Sequence, residues 1–231
     1  MTQSPVIVAL DFPSEKETMQ LVEQLEPALC RLKVGKELFT RCGPALVKQL
    51  VDKNFDVFLD LKYHDIPNTV ARACEAAADL GVWMLNVHAL GGEKMMQAAR
   101  QAMSSNDSPI LIAVTWLTSS GQAELDALGI QSTPEQMVSK LATMTKNAGL
   151  DGVVCSAQEA PVLRKSMGDD FCLVTPGIRL ADAAKDDQTR VVTPEKAIAD
   201  GASYLVIGRP ITQAADPCET LNKINRTLAE R

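Results

Sequence analysis

Short apolar runs recur along the whole chain, at residues 6–10, 32–34, 57–61, 82–87, 110–114, 153–155, 172–174 and 205–207. Most of them do not alternate apolar with polar positions, which is the pattern of strands buried on both faces. Longer stretches with helical spacing lie between them. Ser14-Glu15-Lys16-Glu17 has the form of a capping box and predicts a helix ending near Leu29. Thr133-Pro134-Glu135-Gln136 repeats the signal with proline at the first helical position. Gly81, Gly149 and Gly201 stand just before the fourth, sixth and eighth runs, where helix C-terminal stops belong.

The result is eight strand–helix units averaging about 29 residues, the plan of an α/β chain folded as a (β/α)8 TIM barrel. No linker rich in Pro, Gly or Ser divides the chain, so residues 1–231 read as a single barrel domain. An open doubly wound sheet is the rival, but it usually needs only five or six strands. No G-x-G-x-x-G follows the first run.

Composition narrows the function. Hydrophobic residues are 46% and charged residues 23%, enough for a large core and too apolar for global disorder. The formal charge of -6 argues against nucleic-acid and membrane partners while permitting a local basic pocket. No apolar run reaches membrane-spanning length, and no signal-peptide pattern opens the chain. The six cysteines are scattered without C-x-x-C, which predicts free thiols and a cytoplasmic protein. With only His64 and His88 available, a His/Cys zinc site is not expected; a carboxylate-bound Mg²⁺ stays open on this count.

In a TIM barrel the chemistry sits where strands end and βα loops begin. The polar residues there include Asp11, Lys33, Lys36, Asp60, Lys62, Asp65, His88, Thr115, Thr118, Ser156, Arg179 and Arg209. The third run is the most informative. Side chains alternate along a strand, so Asp60 and Lys62 share the inward face while Leu59 and Leu61 turn to the helices. Lys33 on the neighbouring strand can join them. Asp65, in the following loop, faces either this site or a neighbouring subunit. A lone Asp-x-Lys is more often a structural salt bridge. Four charges converging at the functional end of a barrel point to chemistry. An ammonium about 4 Å from a developing carbanion contributes roughly 4 kcal/mol at an effective dielectric near 20. A carboxylate beside a substrate carboxylate favours loss of CO₂. Decarboxylation or proton exchange without a cofactor fits the set.

Thr175-Pro176-Gly177-Ile178-Arg179 and Gly208-Arg209-Pro210-Ile211 follow the seventh and eighth runs. Loops after these strands commonly bind phosphate. Gly177 and Gly208 would let main-chain N–H groups approach an anion, and Arg209 offers a matching fork. Residues 179–193 are long for a βα connection and predict a lid, with Gln188 in reach of a phosphate or a ligand's polar edge.

Asp60-Leu61-Lys62-Tyr63-His64-Asp65-Ile66-Pro67-Asn68-Thr69 resembles the D-x-K-x-H-D-I-P-N-T signature of the orotidine 5′-phosphate decarboxylase family, in its bacterial form. Leu10-Asp11 with Pro13, Leu32-Lys33-Val34-Gly35, Leu117-Thr118-Ser119, Pro176-Gly177-Ile178-Arg179 and Gly208-Arg209-Pro210-Ile211 extend the resemblance over essentially the whole chain. It implies a homodimeric barrel that converts orotidine 5′-phosphate to UMP and CO₂, the last step of de novo pyrimidine synthesis, without metal or cofactor. By the same resemblance Lys62 protonates C6 of the pyrimidine, and Asp60 and Lys33 complete the charged network. Asp65 and Thr69 enter the partner subunit's site. Asp11 and Lys33 bind ribose hydroxyls, Thr118 meets the pyrimidine or its lid, and Pro176, Arg179, Gln188, Gly208 and Arg209 serve the phosphate end.

Two alternatives are a Mg²⁺-dependent sugar-phosphate decarboxylase or isomerase of the same superfamily and a non-catalytic sensor of phosphorylated ligands. The first resembles this chain in D-x-K-x-x-D but uses an acidic residue where Lys33 stands. His64 is expected to make a structural hydrogen bond, and His88 to be a satisfied core histidine. Cys155, Cys172, Met95 and Met96 read as packing residues.

Overall fold

The computed structural model describes residues 2–103, 108–180 and 192–229. Eight parallel strands close into a barrel: β1 (Val6–Ala9), β2 (Arg31–Gly35), β3 (Val57–Tyr63), β4 (Met84–His88), β5 (Ile110–Val114), β6 (Gly152–Val154), β7 (Cys172–Pro176) and β8 (Tyr204–Ile207). Each strand pairs with the next in sequence, and β1 pairs with β8. The eight apolar runs therefore mark the eight strands, each within a few residues of its predicted bounds. The helices between them put the structure in the (β/α)8 class.

The strand faces separate two cores. Ile7, Phe58, Met84, Ile112 and Val174 fill the barrel interior. Val6, Val8, Leu32, Val34, Val57, Leu59, Leu85 and Val87 face outward into the layer beneath the helices. This alternation fixes the site. Arg31 and Lys33 flank an outward Leu32, and Phe58, Asp60 and Lys62 lie at every second position of β3.

The helix starts follow the chemistry of their caps. Ser14 caps Glu15–Val22, its Oγ accepting the Glu17 N–H at 3.3 Å. Thr133 and Gln136 form the reciprocal pair at the head of Pro134–Asn147. The first helix ends at Val22 rather than near Leu29, because Pro27 follows and disfavours helix at the residue before it. Tight turns at Gln24 and Leu25 replace the last helical turns. Gly81, Gly149 and Gly201 adopt φ of 78°, 80° and 102°, the left-handed stops that the sequence places there.

The N-terminal segment closes the floor of the barrel. Arg31, 7% exposed, donates to the carbonyls of Thr2 (2.8 Å) and Ser4, and the Ser4 hydroxyl reaches Asn225 of the last helix (2.7 Å). The guanidinium lies over the Trp83 ring at 4.4 Å and the Tyr204 ring at 5.0 Å, with Asp56 at 3.4 Å. All six cysteines are free. Cys155 and Cys172 sit in packed positions whose burial pushes both thiols up to about 12, and Met95 and Met96 are core residues. Among the described residues no helix is long and apolar enough to cross a membrane.

Candidate active site

The C-terminal mouth of the barrel carries a row of alternating charges. Lys62 Nζ lies 2.5 Å from Asp60 Oδ1, and Lys33 Nζ lies 3.6 Å from Asp60 Oδ2 and 3.0 Å from Asp11 Oδ1. The order is Asp11, Lys33, Asp60, Lys62, two cations and two anions. Lys33 is 8% exposed and stands between the two carboxylates that pair with it. The Asp60 side chain is 13% exposed, the Lys62 side chain 27% and the Asp11 side chain 69%. Exposure thus rises toward both ends of the row.

Lys33, Asp60 and Lys62 line a cavity of about 220 Å³ with Phe58, Trp116 and Thr118. Trp116, Leu117, Thr118 and Pro176 also border a wider groove of about 900 Å³, together with Ser119, Ser156, Gln158 and Gly177. Ligand pockets usually run from about 300 to 1,000 Å³. The inner cavity is therefore sized for part of a ligand, with its charged wall at the reacting end, and the groove can take the rest.

The geometry brings Asp11, Lys33, Asp60 and Lys62 together. Asp65 does not join the cluster within its own chain. It is exposed at the loop before the helix Pro67–Ala78, where its Oδ1 accepts the Ile66 N–H at 2.6 Å. Among the described residues Asp65 forms no ion pair, and the fourth charge of the row is Asp11. Thr69 is exposed in the first turn of the same helix. Thr115 is fully buried and donates to the Val154 carbonyl at 2.9 Å, a strand-to-strand tie rather than a site group.

At the predicted phosphate end, Pro176 ends β7 and Gly177 has φ 81°, which glycine adopts freely. Arg179 is half-buried; its guanidinium donates to the Ile178 carbonyl at 3.1 Å and its N–H to the Val192 carbonyl at 3.2 Å. Gly208 caps the one-turn helix Arg209–Thr212, and Arg209 is exposed at its first position. A Cβ on Gly208 would meet only Ala9 Cβ at 3.7 Å, so space does not require glycine there. Gln188 and the middle of the predicted lid lie outside the described residues.

Two site residues were not singled out from the sequence. Trp116 borders both spaces at the end of β5, and its signal was an aromatic just beyond an apolar run. Asn86, fully buried on the inward face of β4, bonds both Asp60 and Lys62. Its signal was a single amide inside the run 82–87. His88 also departs from expectation. Its Nδ1 is buried with no hydrogen-bond partner among the described residues, and its ring stands 5.6 Å from that of His64. Burial lowers its pKa from the ordinary histidine value, helped by His64, Lys36 and Lys62 nearby.

Residues 4–224 match the model of the "Orotidine 5'-phosphate decarboxylase / HUMPS family". The chain belongs to this family. Within the family it is similar to the orotidine 5′-phosphate decarboxylase of Nitrosococcus oceani, 61% identical over 230 residues that cover 99% of each chain. The orotidine 5′-phosphate decarboxylase of Laribacter hongkongensis is 62% identical over 229 residues, 99% of this chain and 94% of that protein. Among solved structures, the orotidine 5′-phosphate decarboxylase of Lactobacillus acidophilus superposes with a TM-score of 0.87 at 39% identity, covering 98% of this chain and 99% of that one. A family member with these relatives brings Lys33, Asp60 and Lys62 into contact at the barrel mouth, where the signature predicted a charged network.

Proposed function

We propose that this protein decarboxylates orotidine 5′-phosphate to UMP and CO₂, the last step of UMP biosynthesis, using its own side chains in place of a metal or cofactor. The observation that carries the reading is the Lys33–Asp60–Lys62 row on the wall of the inner cavity. The electron pair released as CO₂ leaves C6 lies in the plane of the pyrimidine ring, where the π system cannot delocalise it. A preorganised cation is then the main source of stabilisation. Lys62 supplies it and delivers a proton to C6, and solvent restores the ammonium. Asp60 holds Lys62 in place on one oxygen and faces Lys33 with the other. The Asp60 carboxylate also opposes the substrate carboxylate, which raises the bound ground state relative to the CO₂-releasing transition state.

In this reading Asp11 and Lys33 take the ribose hydroxyls and Thr118 meets the pyrimidine; the pairing of Asp11 with Lys33 and the position of Thr118 between cavity and groove support it. Pro176, Gly208, Arg179 and Arg209, with Gln188, form the phosphate end in this reading. Phosphate binding is remote from C6, so its energy can be used to order the loops around the reacting group. We read the whole chain as one barrel acting as a homodimer, with Asp65 and Thr69 reaching the partner's site. Their exposure beside an Ile66 that is 67% exposed supports this. Six free thiols support a cytoplasmic setting.

Incubation with orotidine 5′-phosphate, followed by the change in pyrimidine absorbance, tests the reading. UMP should form at the same rate with and without EDTA. Loss of activity on chelation would move the assignment to the Mg²⁺-dependent sugar-phosphate enzymes of the superfamily. Binding without UMP formation would leave a sensor.

A further inference from the structure

We infer that Asn86 is a positioning residue for this reaction: it fixes the Lys62 main chain and the Asp60 carboxylate so that the ammonium faces the reacting carbon. The inference rests on the reading that Lys62 protonates the substrate.

The starting point is an irregularity between β3 and β4. Leu59 pairs with Leu85, yet Tyr63 pairs with Val87, so four steps along β3 face two along β4. The surplus falls on the segment that carries Asp60 and Lys62. Such bulges bend a strand and re-aim its side chains. Within this one Lys62 has φ 52°, a left-handed conformation that costs energy for a residue with a Cβ. Asn54 is the other non-glycine residue with positive φ among those described.

Asn86 faces the bulge from β4. Its Oδ1 accepts the Lys62 N–H at 2.8 Å, and its Nδ2 donates to Asp60 Oδ1 at 2.7 Å. The amide orientation follows from its partners, because an N–H needs an acceptor and a carboxylate needs a donor. The oxygen that receives Nδ2 is the one that receives Lys62 Nζ at 2.5 Å. One buried amide thus holds both ends of the Asp60–Lys62 pair, by the carboxylate of one residue and the main chain of the other. Asp at this position would oppose Asp60, and an apolar residue would leave the Lys62 N–H without its acceptor. On the inward face of β4, Asn86 stands between Met84, in the barrel core, and His88.

The test compares Asn86→Leu, with the same branching and number of side-chain heavy atoms but no polar group, and Asn86→Ser, smaller and polar, with the wild type in the full-length protein. Turnover of orotidine 5′-phosphate gives kcat and KM, UMP titration gives the product Kd, and thermal melting checks the fold. Misplacing a catalytic group by about 1 Å costs on the order of 10²-fold in rate. Asn86→Leu should lose about that in kcat and Asn86→Ser at least roughly tenfold, with KM and the UMP Kd within about threefold of wild type. A packing role alone would lower the melting temperature and leave kcat of the folded fraction intact. Wild-type kcat in either folded variant, or a loss carried by KM, would overturn the assignment of Asn86 while leaving the decarboxylase reading standing. No turnover by the wild type would overturn both.

Discussion

Strand β2 carries two cations on the same inward face, two residues apart, and they do opposite work. Arg31 points to the floor of the barrel and Lys33 to the mouth. Arg31 lies against two aromatic rings, two main-chain carbonyls and Asp56. Its guanidinium lies within cation–π range of both rings, which are nearly perpendicular to each other, while its N–H groups donate to the carbonyls. Lys33 is about as buried, but it stands between two carboxylates and borders an open cavity. The lesson is that burial of a charge does not by itself indicate function. At the floor the charge joins the N-terminal segment to the barrel. At the mouth it belongs to a row whose far member, Lys62, is partly exposed and held in a costly conformation.

Three substitutions would break or sharpen that contrast, and the first has the largest effect. Arg31→Met keeps much of the side-chain packing but leaves Asp56 without its cation. Orphaning a buried charge costs about 3–5 kcal/mol, and for a chain of this size roughly 2–4 °C of melting temperature accompanies each kcal/mol. Thermal melting should therefore fall by roughly 10 °C while kcat of the folded enzyme stays near wild type. A stable variant with lost turnover would assign chemistry to the floor and erase the distinction.

Arg209→Ala acts at the mouth and should do the reverse. A hydrogen bond from arginine to a phosphate contributes about 1.5–3 kcal/mol. Affinity for UMP should drop by that amount, affinity for uridine should hardly change, and the melting temperature should stay put. Titrations of the two ligands check this, and equal losses for both would remove Arg209 from the phosphate grip.

The smallest effect concerns His88. Its pKa is lowered in the folded protein, chiefly by burial. As pH falls through the ordinary value of about 6.5, the unfolded imidazole takes up a proton that the folded one resists. Stability should therefore decline with falling pH in that window. Melting curves between pH 7.5 and 5.5 should show a shallower decline for His88→Gln than for wild type. Parallel curves would mean that His88 does not contribute to the pH dependence.

The sequence was a good guide wherever one local rule decides. Strands buried on both faces read as largely apolar runs, so all eight could be found. Period-two alternation put Asp60 and Lys62 on one face, and strand ends marked Lys33 and Asp11. What escaped depends on how separate segments meet. The bulge between β3 and β4 is a property of register, which neither strand encodes alone. It sets the backbone of Lys62 and gives Asn86 its role, yet within its own run Asn86 is one amide among apolar neighbours. Asp65 shows the same limit, since its place in the motif does not fix which site it serves. The early end of the first helix was legible, because Pro27 is visible in the sequence and outweighs the apolar spacing that suggested continuation.

The central claim is that Lys62 performs the chemistry at the mouth of the barrel. Its most direct test is decarboxylation of saturating orotidine 5′-phosphate by Lys62→Ala, with UMP affinity measured on the same preparation. Removing a preorganised charge-stabilising group typically costs 10²–10³-fold, and loss of the proton donor adds to it, so turnover should fall by at least about 10³-fold. UMP should still bind. A variant that binds UMP and retains turnover within tenfold of wild type would contradict the account.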